Sequence, residues 1–454
     1  MASVILPSAL IRHSKGESRI EVPGVTVAEA LGHLQEQFPA LKGWILDERA
    51  SLREHVSVFV NAHQADLGHP IAPTDELYVV QAISGGLTDA HATPDQVEVL
   101  VGTRKGLFIL SGPRGGDLVI GDRIFGGQVV EYACRDPRTG RYFASVTHGQ
   151  FGPHLYFTDD PSGEWKEAEG IAFPADASSA VGRIWVVQPG QEDDVLWAGV
   201  APAALFRSSD SGRTWELNRG LWDNPSRPEW QPGAGGLCLH SICPWPGDPS
   251  KLSIAISAAG VWHTDDGGES WTRGVEGLVP RYLPEEAREQ AVDLCVHKLL
   301  RATEPPTRMF LQFHGGVYRS DDSGQTWVDI GARTGLPSDF GFPMVMNPTD
   351  PDRAWVIPLI ADADRVTPEG RLRVYETRDA GDSWQAQTAG LPQQDTHLTI
   401  LRQAFCHDGG SPLGLYFGAT SGELFTSADG AQTWSTLARR LPPVSSVTAA
   451  VPQA

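Results

Sequence analysis

Cysteines, long apolar runs and basic segments are all scarce in this sequence of 454 residues. Its five cysteines form an odd, sparse set, which predicts reduced thiols and a cytoplasmic location. No apolar run approaches the roughly 20 residues that a membrane-spanning helix requires. The first 20 residues lack the basic start and long apolar run of a signal peptide. The sequence therefore argues against a disulfide-rich secreted protein and predicts no membrane partner.

Positive charge is also in deficit. The chain has 36 Lys and Arg against 56 Asp and Glu, so its formal net charge is −20. Such a surface repels phosphate backbones, and no basic cluster offsets it, so we predict no nucleic-acid partner. What the chain does contain is 49 Gly, 34 Pro and 14 Trp, a composition typical of many short strands joined by tight turns.

The first 86 residues have the pattern of a small α+β unit. Thr26 and Glu29 form a capping box ahead of an apolar helical pattern, which Pro39 ends. Apolar segments predict four strands, at 4–11, 18–22, 56–60 and 76–82. The order ββαββ then runs into Gly85-Gly86.

This region resembles the ThiS/MoaD family of sulfur carriers, which share the ubiquitin-like β-grasp fold. The resemblance covers residues 1–86 and depends on the order of elements, the turn at Val60-Asn61 and the final Gly85-Gly86. In that family the last glycine is adenylated and converted to a thiocarboxylate. The resemblance thus implies Gly86 as the carrier terminus and an adenylating sulfur-transfer enzyme as a partner. Two glycines suit this role because they can thread extended through a narrow enzyme channel.

The chain departs from that family because it continues past Gly86 into Leu87. A peptide bond occupies the carboxyl group that would be activated. Either a processing protease frees Gly86, or the domain is a docking module that never carries sulfur. Residues 87–94 are polar and are predicted to form a linker.

Residues 95–452 repeat one short motif, Ser/Thr-x-Asp-x-Gly-x-Ser/Thr-Trp, with its clearest copy at 320–327. The acid and hydroxyl can close a tight turn by bonding its own backbone, and we call these segments the repeat turns. The last copy has Ala431 in the glycine place. Six tryptophans end the copies at intervals of 50 to 57 residues, which fits one four-stranded blade per repeat: Trp165, Trp215, Trp271, Trp327, Trp384 and Trp434.

The motif resembles the Asp box, or BNR repeat, of sialidase-like propellers. The resemblance implies a mainly β fold, with a seven-bladed β-propeller after the small β-grasp domain. The first blade has no motif and lacks an inner strand, although it has strands at 97–101 and 106–110. We predict that 445–451 pairs with 97–101 and closes the ring. Helix is scarce, and its best candidate is 284–291.

Polar residues recur on the face opposite the repeat turns, where a binding site is expected. They stand at the starts of first strands and in the turns between second and third strands: Arg183, His240, His297, Arg402, His148, His154 and His314. Cationic and imidazole side chains that converge on one mouth can bind an anion or a metal ion. The alternative is a hydrated channel lined with hydrogen-bonded histidines.

A sialidase-like glycoside hydrolase needs residues that this sequence lacks. The family's early Arg-Ile-Pro is absent, and Arg183-Ile184-Trp185 stands in the wrong blade. Tyr375 and Glu376 are neighbours on a strand, so they point to opposite faces. The remaining catalytic candidates are Glu131, Asp362 and Asp364.

Two Cys-x-His pairs occupy the same place in adjacent repeats. Cys238 and His240 form one pair, and Cys295 and His297 form the other. Residues two apart on a strand face the same side, so the four side chains could bind zinc tetrahedrally. They could instead activate one cysteine as a thiolate, or the cysteines could pack as small hydrophobes.

Three functions stay open from the sequence. The chain is a sulfur-carrier precursor on a propeller scaffold, a sialidase-like hydrolase with a vestigial carrier domain, or a non-catalytic interaction protein. A freed Gly86 would distinguish the first, and paired carboxylates at the mouth would distinguish the second.

Overall fold

The computed structural model of the chain divides into two compact units, Met1–Ala92 and Thr93–Ala454. The residues it describes are 2–6, 10, 12–42, 45–46, 52, 56–61, 63–81, 96–233, 235–288, 293–331 and 335–451. Gly85, Gly86 and the linker predicted at 87–94 lie outside the described residues.

Within its described residues, the first unit has a five-stranded sheet and the α-helix α1 (Val27–Gln37). Its elements are β1 (Ala2–Ile5), β2 (Arg19–Val22), α1 (Val27–Gln37), β3 (Val56–Val60), β4 (His63–Ala65) and β5 (Glu76–Gln81), with 3₁₀ turns at Arg12–Ser14 and Pro39–Leu41. The sheet order is β2-β1-β5-β3-β4. β1 and β5 are parallel, and the other pairs are antiparallel. The predicted order of elements is confirmed, with the short β4 added to it. The first strand is shorter than the predicted 4–11, because β1 ends at Ile5.

The helix α1 begins at the predicted capping box. Thr26 Oγ1 accepts a hydrogen bond from the backbone N of Glu29 at 3.3 Å. Glu29 Oε2 accepts one from the backbone N of Val25 at 3.0 Å, so two donors at the start of the helix are satisfied. The apolar face packs into the core of the unit through Val27, Ala30, Leu31 and Leu34.

A hydrogen-bonded turn at Asn61 fastens the start of β5, the strand that leads toward Gly85-Gly86. Asn61 adopts a left-handed conformation with φ 48°. Its Nδ2 donates to Asp75 Oδ1 at 2.7 Å, and its Oδ1 accepts from the backbone N of Glu76 at 3.0 Å. Hydrogen bonds from the backbone of Ala72 and from Asn61 hold the pKa of Asp75 below its usual value.

The second unit is built from successive antiparallel meanders of four strands. Five of these, within the described residues, are separate sheets: β9 (Val129–Arg135), β10 (Tyr142–His148), β11 (Gly152–Thr158), β12 (Lys166–Glu167); β13 (Arg183–Pro189), β14 (Leu196–Ala201), β15 (Ala204–Ser208), β16 (Glu216–Leu217); β17 (Leu239–Trp245), β18 (Asp248–Ile256), β19 (Gly260–Thr264), β20 (Thr272–Arg273); β21 (Val296–Arg301), β22 (Met309–Phe313), β23 (Gly316–Ser320), β24 (Val328–Asp329); and β25 (Gly341–Asn347), β26 (Asp350–Pro358), β27 (Val374–Thr377), β28 (Gln385–Gln387).

The remaining sheet has eight strands and contains both ends of the unit. Its order is β32-β31-β30-β29-β33-β6-β7-β8. The strands are β6 (Gln96–Thr103), β7 (Gly106–Pro113), β8 (Val119–Ile120), β29 (Ile400–His407), β30 (Leu415–Ala419), β31 (Leu424–Ser427), β32 (Ser435–Ala438) and β33 (Val444–Ala450). β33 pairs antiparallel with β6, with Val447 opposite Val101. The C-terminal segment thus supplies the strand that the first repeat lacks, and this predicted pairing is confirmed.

The first strands of the meanders are neighbours in chain order, from β9 through β13, β17, β21, β25 and β29 to β33. β29 and β33 share one parallel bridge, between Gln403 and Ser446. β33 also contacts β9, where Thr448 Oγ1 donates to the carbonyl oxygen of Ala133 at 2.8 Å. The second unit is therefore a propeller-like β domain whose interior is bounded by these strands.

The repeat turns join the third and fourth strands and share one hydrogen-bond pattern. Ser320 Oγ donates to Asp322 Oδ1 at 2.7 Å and accepts from the backbone N of Gly324 at 2.8 Å. Asp322 Oδ2 accepts from Thr326 Oγ1 at 2.6 Å. The same contacts occur in the turns that begin at Ser208, Thr264, Thr377 and Ser427.

Three of the turn tryptophans bond the preceding repeat through their backbone N. Trp434 N donates to the carbonyl oxygen of Ala389 at 2.9 Å, and the equivalent bonds join Trp215 to Glu169 and Trp327 to Glu276. In each case the residue that follows the acceptor is a glycine with positive φ, namely Gly170, Gly277 and Gly390. A Cβ at any of these glycines would overlap the carbonyl oxygen of the tryptophan. Only glycine fits these close approaches between repeats.

The described part of the second unit contains little helix. It has a short α-helix, α2 (Arg219–Trp222), and 3₁₀ turns at Arg227–Glu229, Glu285–Ala287 and Pro368–Gly370. The helix predicted over 284–291 is wrong for its described part, which forms only the second of these turns. No residue of that turn is buried, so no packed apolar face stabilises a longer helix there.

Candidate functional site

A cavity of about 680 Å³ opens at the end of the second unit where the first strands begin. Because strands of a meander alternate in direction, this end is opposite the repeat turns. Its charged and amide lining groups are Arg104, Glu131, Arg183, Arg365, Arg402 and Gln403. Four guanidinium groups and one carboxylate therefore meet in a chain whose net charge is −20.

Arg402 on β29 is the most deeply placed of the four arginines and is only 8% exposed. Its Nη1 donates to Ser257 Oγ at 2.8 Å and to Cys238 Sγ at 3.4 Å. The guanidinium carbon lies 5.2 Å from the ring centre of Trp185 and 5.7 Å from that of Phe342. These contacts hold the cation in one place with its other donors available to the cavity.

Arg183 and Glu131 form an ion pair on the cavity wall, with Nε and Oε1 3.1 Å apart. Arg183 also lies 4.8 Å from the ring centre of Trp185. Burial raises the pKa of Glu131, although the positive charges of Arg183 and Arg104 oppose that shift. Glu131 is thus a largely buried carboxyl group held beside an arginine.

Arg365 reaches the cavity from the loop between β26 and β27. It pairs with Asp362 of the same loop and lies 5.3 Å from the ring centre of Phe342. Neither Asp362 nor Asp364 lines the cavity. The three predicted catalytic carboxylates are therefore not brought together, and Glu131 is the one of the three that lines the cavity with the arginines.

His148 and His154 meet at the turn between β10 and β11, with ring centres 5.2 Å apart. His148 Nε2 lies 3.1 Å from the hydroxyl of Tyr156, and His154 Nδ1 pairs with Glu167. Neither lines the cavity. Of the seven predicted mouth residues, only Arg183 and Arg402 line it.

The first Cys-x-His pair is occupied by contacts within the protein. His240 is fully buried, and its Nε2 donates to the carbonyl oxygen of Val296 at 2.9 Å, while its Nδ1 lies 3.0 Å from Ser241 Oγ. Cys238 Sγ lies 3.2 Å from Ser257 Oγ. Because both ring nitrogens of His240 are engaged, the four residues predicted as a zinc site do not form one metal cluster.

The second pair meets a different partner, His314, in the turn after β22. Cys295 Sγ and His297 Nε2 are 3.6 Å apart, and the rings of His297 and His314 have centres 5.3 Å apart. One ligand atom from each of the three lies within 4.8 Å of the others. Burial raises the pKa of Cys295 to about 11, which disfavours a free thiolate nucleophile at neutral pH.

A polar bridge crosses the interior behind the cavity. Lys298 Nζ donates to Gln403 Oε1 at 2.6 Å, and Gln403 Nε2 donates to the carbonyl oxygen of His240 at 2.6 Å. Gln403 lines the cavity on one side and a second cavity of about 590 Å³ on the other. Burial lowers the pKa of Lys298 to about 8.

Sequence reasoning missed several lining residues although their repeat positions carried a signal. Arg104 stands in the turn between the second and third strands of its repeat, β6 and β7, the position that selected His148 and His314. Phe342 stands at the start of a first strand, and Trp185 is two residues after Arg183. Arg365 lies in a long loop with no equivalent in the other repeats, so no repeat pattern pointed to it.

Comparison with known proteins identifies the first unit. Residues 8–86 match the ThiS family model. Small archaeal modifier protein 1 of Haloferax volcanii is 36% identical over 69 residues, which are 15% of this chain and 79% of that protein. A chain in the crystal structure of the Amycolatopsis orientalis BexX/CysO complex is 26% identical, covers 19% of this chain and is itself covered completely, with a TM-score of 0.18.

The fold, the family model and the archaeal relative define the first unit as a ubiquitin-like module of ThiS type. Through residues 8–86, the chain belongs to the ThiS family. A further match, to the crystal structure of an ancestral GH74 enzyme, covers 65% of this chain at 17% identity with a TM-score of 0.44, and the chain spans 36% of that enzyme. Across the described residues, no helix has both the length and the apolarity to cross a membrane.

Proposed function

We propose that this chain is a sulfur-carrier precursor in which a ThiS-type module is fused to a propeller scaffold. The observation that carries the proposal is the end of the family match at residue 86. The chain has Gly85-Gly86 there and continues into Leu87. The free carboxylate that carrier chemistry needs is created only when the bond between Gly86 and Leu87 is cut. The five cysteines, all free, fit a reducing cytoplasm.

The proposed reaction sequence has three steps and two partners. A processing protease hydrolyses the peptide bond after Gly86. An adenylating sulfur-transfer enzyme joins the Gly86 carboxylate to the AMP part of ATP, and pyrophosphate leaves. A hydrosulfide-level sulfur donor then attacks the acyl carbon, AMP leaves, and Gly86 carries a thiocarboxylate.

We further propose that the second unit is a closed seven-bladed propeller of Asp-box, or BNR, repeats over 95–452. Within the described residues there are five four-stranded sheets and one sheet of eight strands. Division of the larger sheet at the single bridge between β29 and β33 gives two more four-stranded meanders, which supports a count of seven. The contact of β33 with β9 supports closure. In such a ring the inner strands have no open edge.

The release of Gly86 is tested in protein purified from the native host. We expect intact-mass spectra to contain a fragment that ends at Gly86 and that gains the mass of an oxygen-to-sulfur exchange when an activating enzyme, ATP and a sulfide donor are present. Replacing both Gly85 and Gly86 by Ala should abolish the mass gain. Gly32→Ala is the matched control, because a Cβ at Gly32 in the same unit meets nothing within 4 Å. Recovery of only the intact chain would refute the precursor proposal.

For the propeller, we propose that the arginine-lined cavity binds a small anion. Arg402 is already positioned by Ser257, Trp185 and Phe342, so a ligand does not have to order it. The aromatic rings give the cavity an apolar wall beside its cations. This combination fits a compact organic acid better than a bare inorganic ion.

Calorimetric titration of the full chain with succinate, and separately with inorganic phosphate, tests the anion site. Arg104→Gln should weaken the binding of succinate at least about tenfold, because a charge-assisted hydrogen bond contributes about 1.5–3 kcal/mol. Lys105→Gln is the control, since Lys105 is the exposed neighbour of Arg104 and does not line the cavity. Equal affinities of the two variants would contradict the proposal.

The alternative of a sialidase-like hydrolase receives less support from the cavity. Glycoside hydrolases generally use a pair of carboxyl groups that flank the scissile bond. Among the described residues, Glu131 is the single carboxylate of the lining. The remaining alternative, a non-catalytic interaction protein, is compatible with the anion site and differs from the proposal only in the fate of Gly86.

A further inference from the structure

We propose that Cys295, His297 and His314 form a binding site for a single zinc-class divalent cation at the rim of the cavity. One thiolate and two imidazoles are the ligands that zinc prefers, and three protein ligands leave a fourth position open. This site shares only two residues with the Cys-x-His set predicted from the sequence. It does not depend on the release of Gly86 or on the anion site.

The spacing of the ligand atoms fits tetrahedral coordination. Zinc binds thiolate at about 2.3 Å and imidazole at about 2.0–2.1 Å, so the tetrahedral angle separates the sulfur and nitrogen by about 3.6 Å. Cys295 Sγ and His297 Nε2 are 3.6 Å apart in the structure. The third ligand atom, from His314, lies within 4.8 Å of both.

His297 has the tautomer that a metal ligand requires. Its Nδ1 donates to the carbonyl oxygen of Gly341 at 2.6 Å, so the proton is on Nδ1 and the lone pair is on Nε2, which faces Cys295. A metal-bound histidine is usually oriented in this way, through a hydrogen bond from its other ring nitrogen to a carbonyl or carboxylate group. His240, at the same position of the preceding repeat, has its Nε2 committed to the carbonyl oxygen of Val296 and offers no such lone pair.

A second observation at this place is an oxygen with no hydrogen-bond partner. Asp293 Oδ1 is buried and receives no hydrogen bond. Asp293 precedes Cys295 by two residues, and its backbone oxygen accepts from the hydroxyl of Tyr282, whose ring lies against His314 at 4.6 Å. A buried carboxylate oxygen without a donor is costly in a folded protein. Asp293 acts as a negative charge on Cys295 and His314, so a cation bound by those two residues lowers that cost.

The charges around the site are balanced. Arg365 acts on both histidines as a positive charge, and Arg402 acts on His297. Asp293 and Asp362 act on His314 as negative charges. The added cation is compensated by the thiolate that forms when Cys295 loses its proton on binding. Phe342 packs against His297 with ring centres 4.7 Å apart and lines the cavity, so the site borders the arginines without including them.

The test uses the full chain loaded with Zn²⁺, passed through a desalting column and analysed for metal. We expect one zinc ion per chain, and Co²⁺ in its place should show a thiolate charge-transfer band and the visible bands of a tetrahedral site. Cys295→Ser and His314→Gln should each weaken zinc binding at least tenfold. His314→Gln keeps the proposal testable if Cys295→Ser fails to fold, because His314 is in a turn and only half-buried.

Two matched variants serve as controls. Cys238→Ser removes the thiol at the equivalent position of the preceding repeat, and His148→Gln removes a histidine at the equivalent end of another second strand. Both should retain one zinc ion per chain. Any one of three results would overturn the proposal. The folded parent protein could hold no zinc, or its Co²⁺ spectrum could lack the thiolate band. The third such result is equal zinc binding by His314→Gln and His148→Gln.

Discussion

A chain that ends at Pro443 should lose the cooperative fold of its second unit. The truncation removes β33, whose Val444 and Val447 are each only 1% exposed, and leaves β6 without its partner. Two buried valines contribute about 1.5–3 kcal/mol each, and the ladder hydrogen bonds add about 0.5–1.5 kcal/mol apiece. The sum is comparable to the whole stability of a domain, about 5–15 kcal/mol, so we expect aggregation or a large fall in the melting temperature.

Thermal denaturation with light scattering measures this effect. A chain that ends at Ala450 is the control, because it keeps all of β33 and removes only the residues after it. The control should melt like the full chain. If the chain ending at Pro443 remained monomeric with the same melting temperature, the exposed edge of β6 would be harmless and the ring would not require β33.

Gly390→Ala should destabilise the second unit by about 3 kcal/mol or more. Part of the loss is the left-handed backbone, about 1–2 kcal/mol, because Gly390 has φ 84°. The rest is steric overlap of the new methyl group with the carbonyl oxygen of Trp434. The backbone of Trp434 cannot shift to relieve this overlap, because its N donates a hydrogen bond to the carbonyl oxygen of Ala389 at 2.9 Å.

Gly127→Ala separates the two contributions. Gly127 has φ 89°, close to that of Gly390, but a Cβ there meets nothing within 4 Å. Chemical denaturation of both variants should therefore show a loss of about 1–2 kcal/mol for Gly127→Ala and a clearly larger loss for Gly390→Ala. Equal losses would mean that the contact between repeats carries no strain.

Local features were the most predictable from the sequence. The capping box of α1 and the repeat turns are closed by side-chain hydrogen bonds to groups within four residues. The residues of the motif therefore determine the local geometry by themselves. The pairing of β33 followed from the missing strand of the first repeat. The helix predicted at 284–291 failed because helical spacing alone does not supply a surface against which to pack.

The site was less predictable because its members come from different repeats. The cavity joins Arg104, Arg183, Arg365 and Arg402, which are up to about three hundred residues apart in sequence, and repeat position alone does not give their distances. The two Cys-x-His pairs were equivalent by position, yet each histidine bonds the next first strand, His240 to Val296 and His297 to Gly341. They therefore link successive repeats and do not face one another. His314 joins Cys295 because both are at the same end of one sheet.

The bridge from Lys298 through Gln403 to the carbonyl of His240 joins three first strands, β21, β29 and β17, by contacts across the interior of the second unit. Gln403 also lines both the arginine-lined cavity and the cavity of about 590 Å³. A ligand that displaces the Gln403 side chain in one cavity therefore changes the wall of the other. The two cavities are coupled through a single amide group.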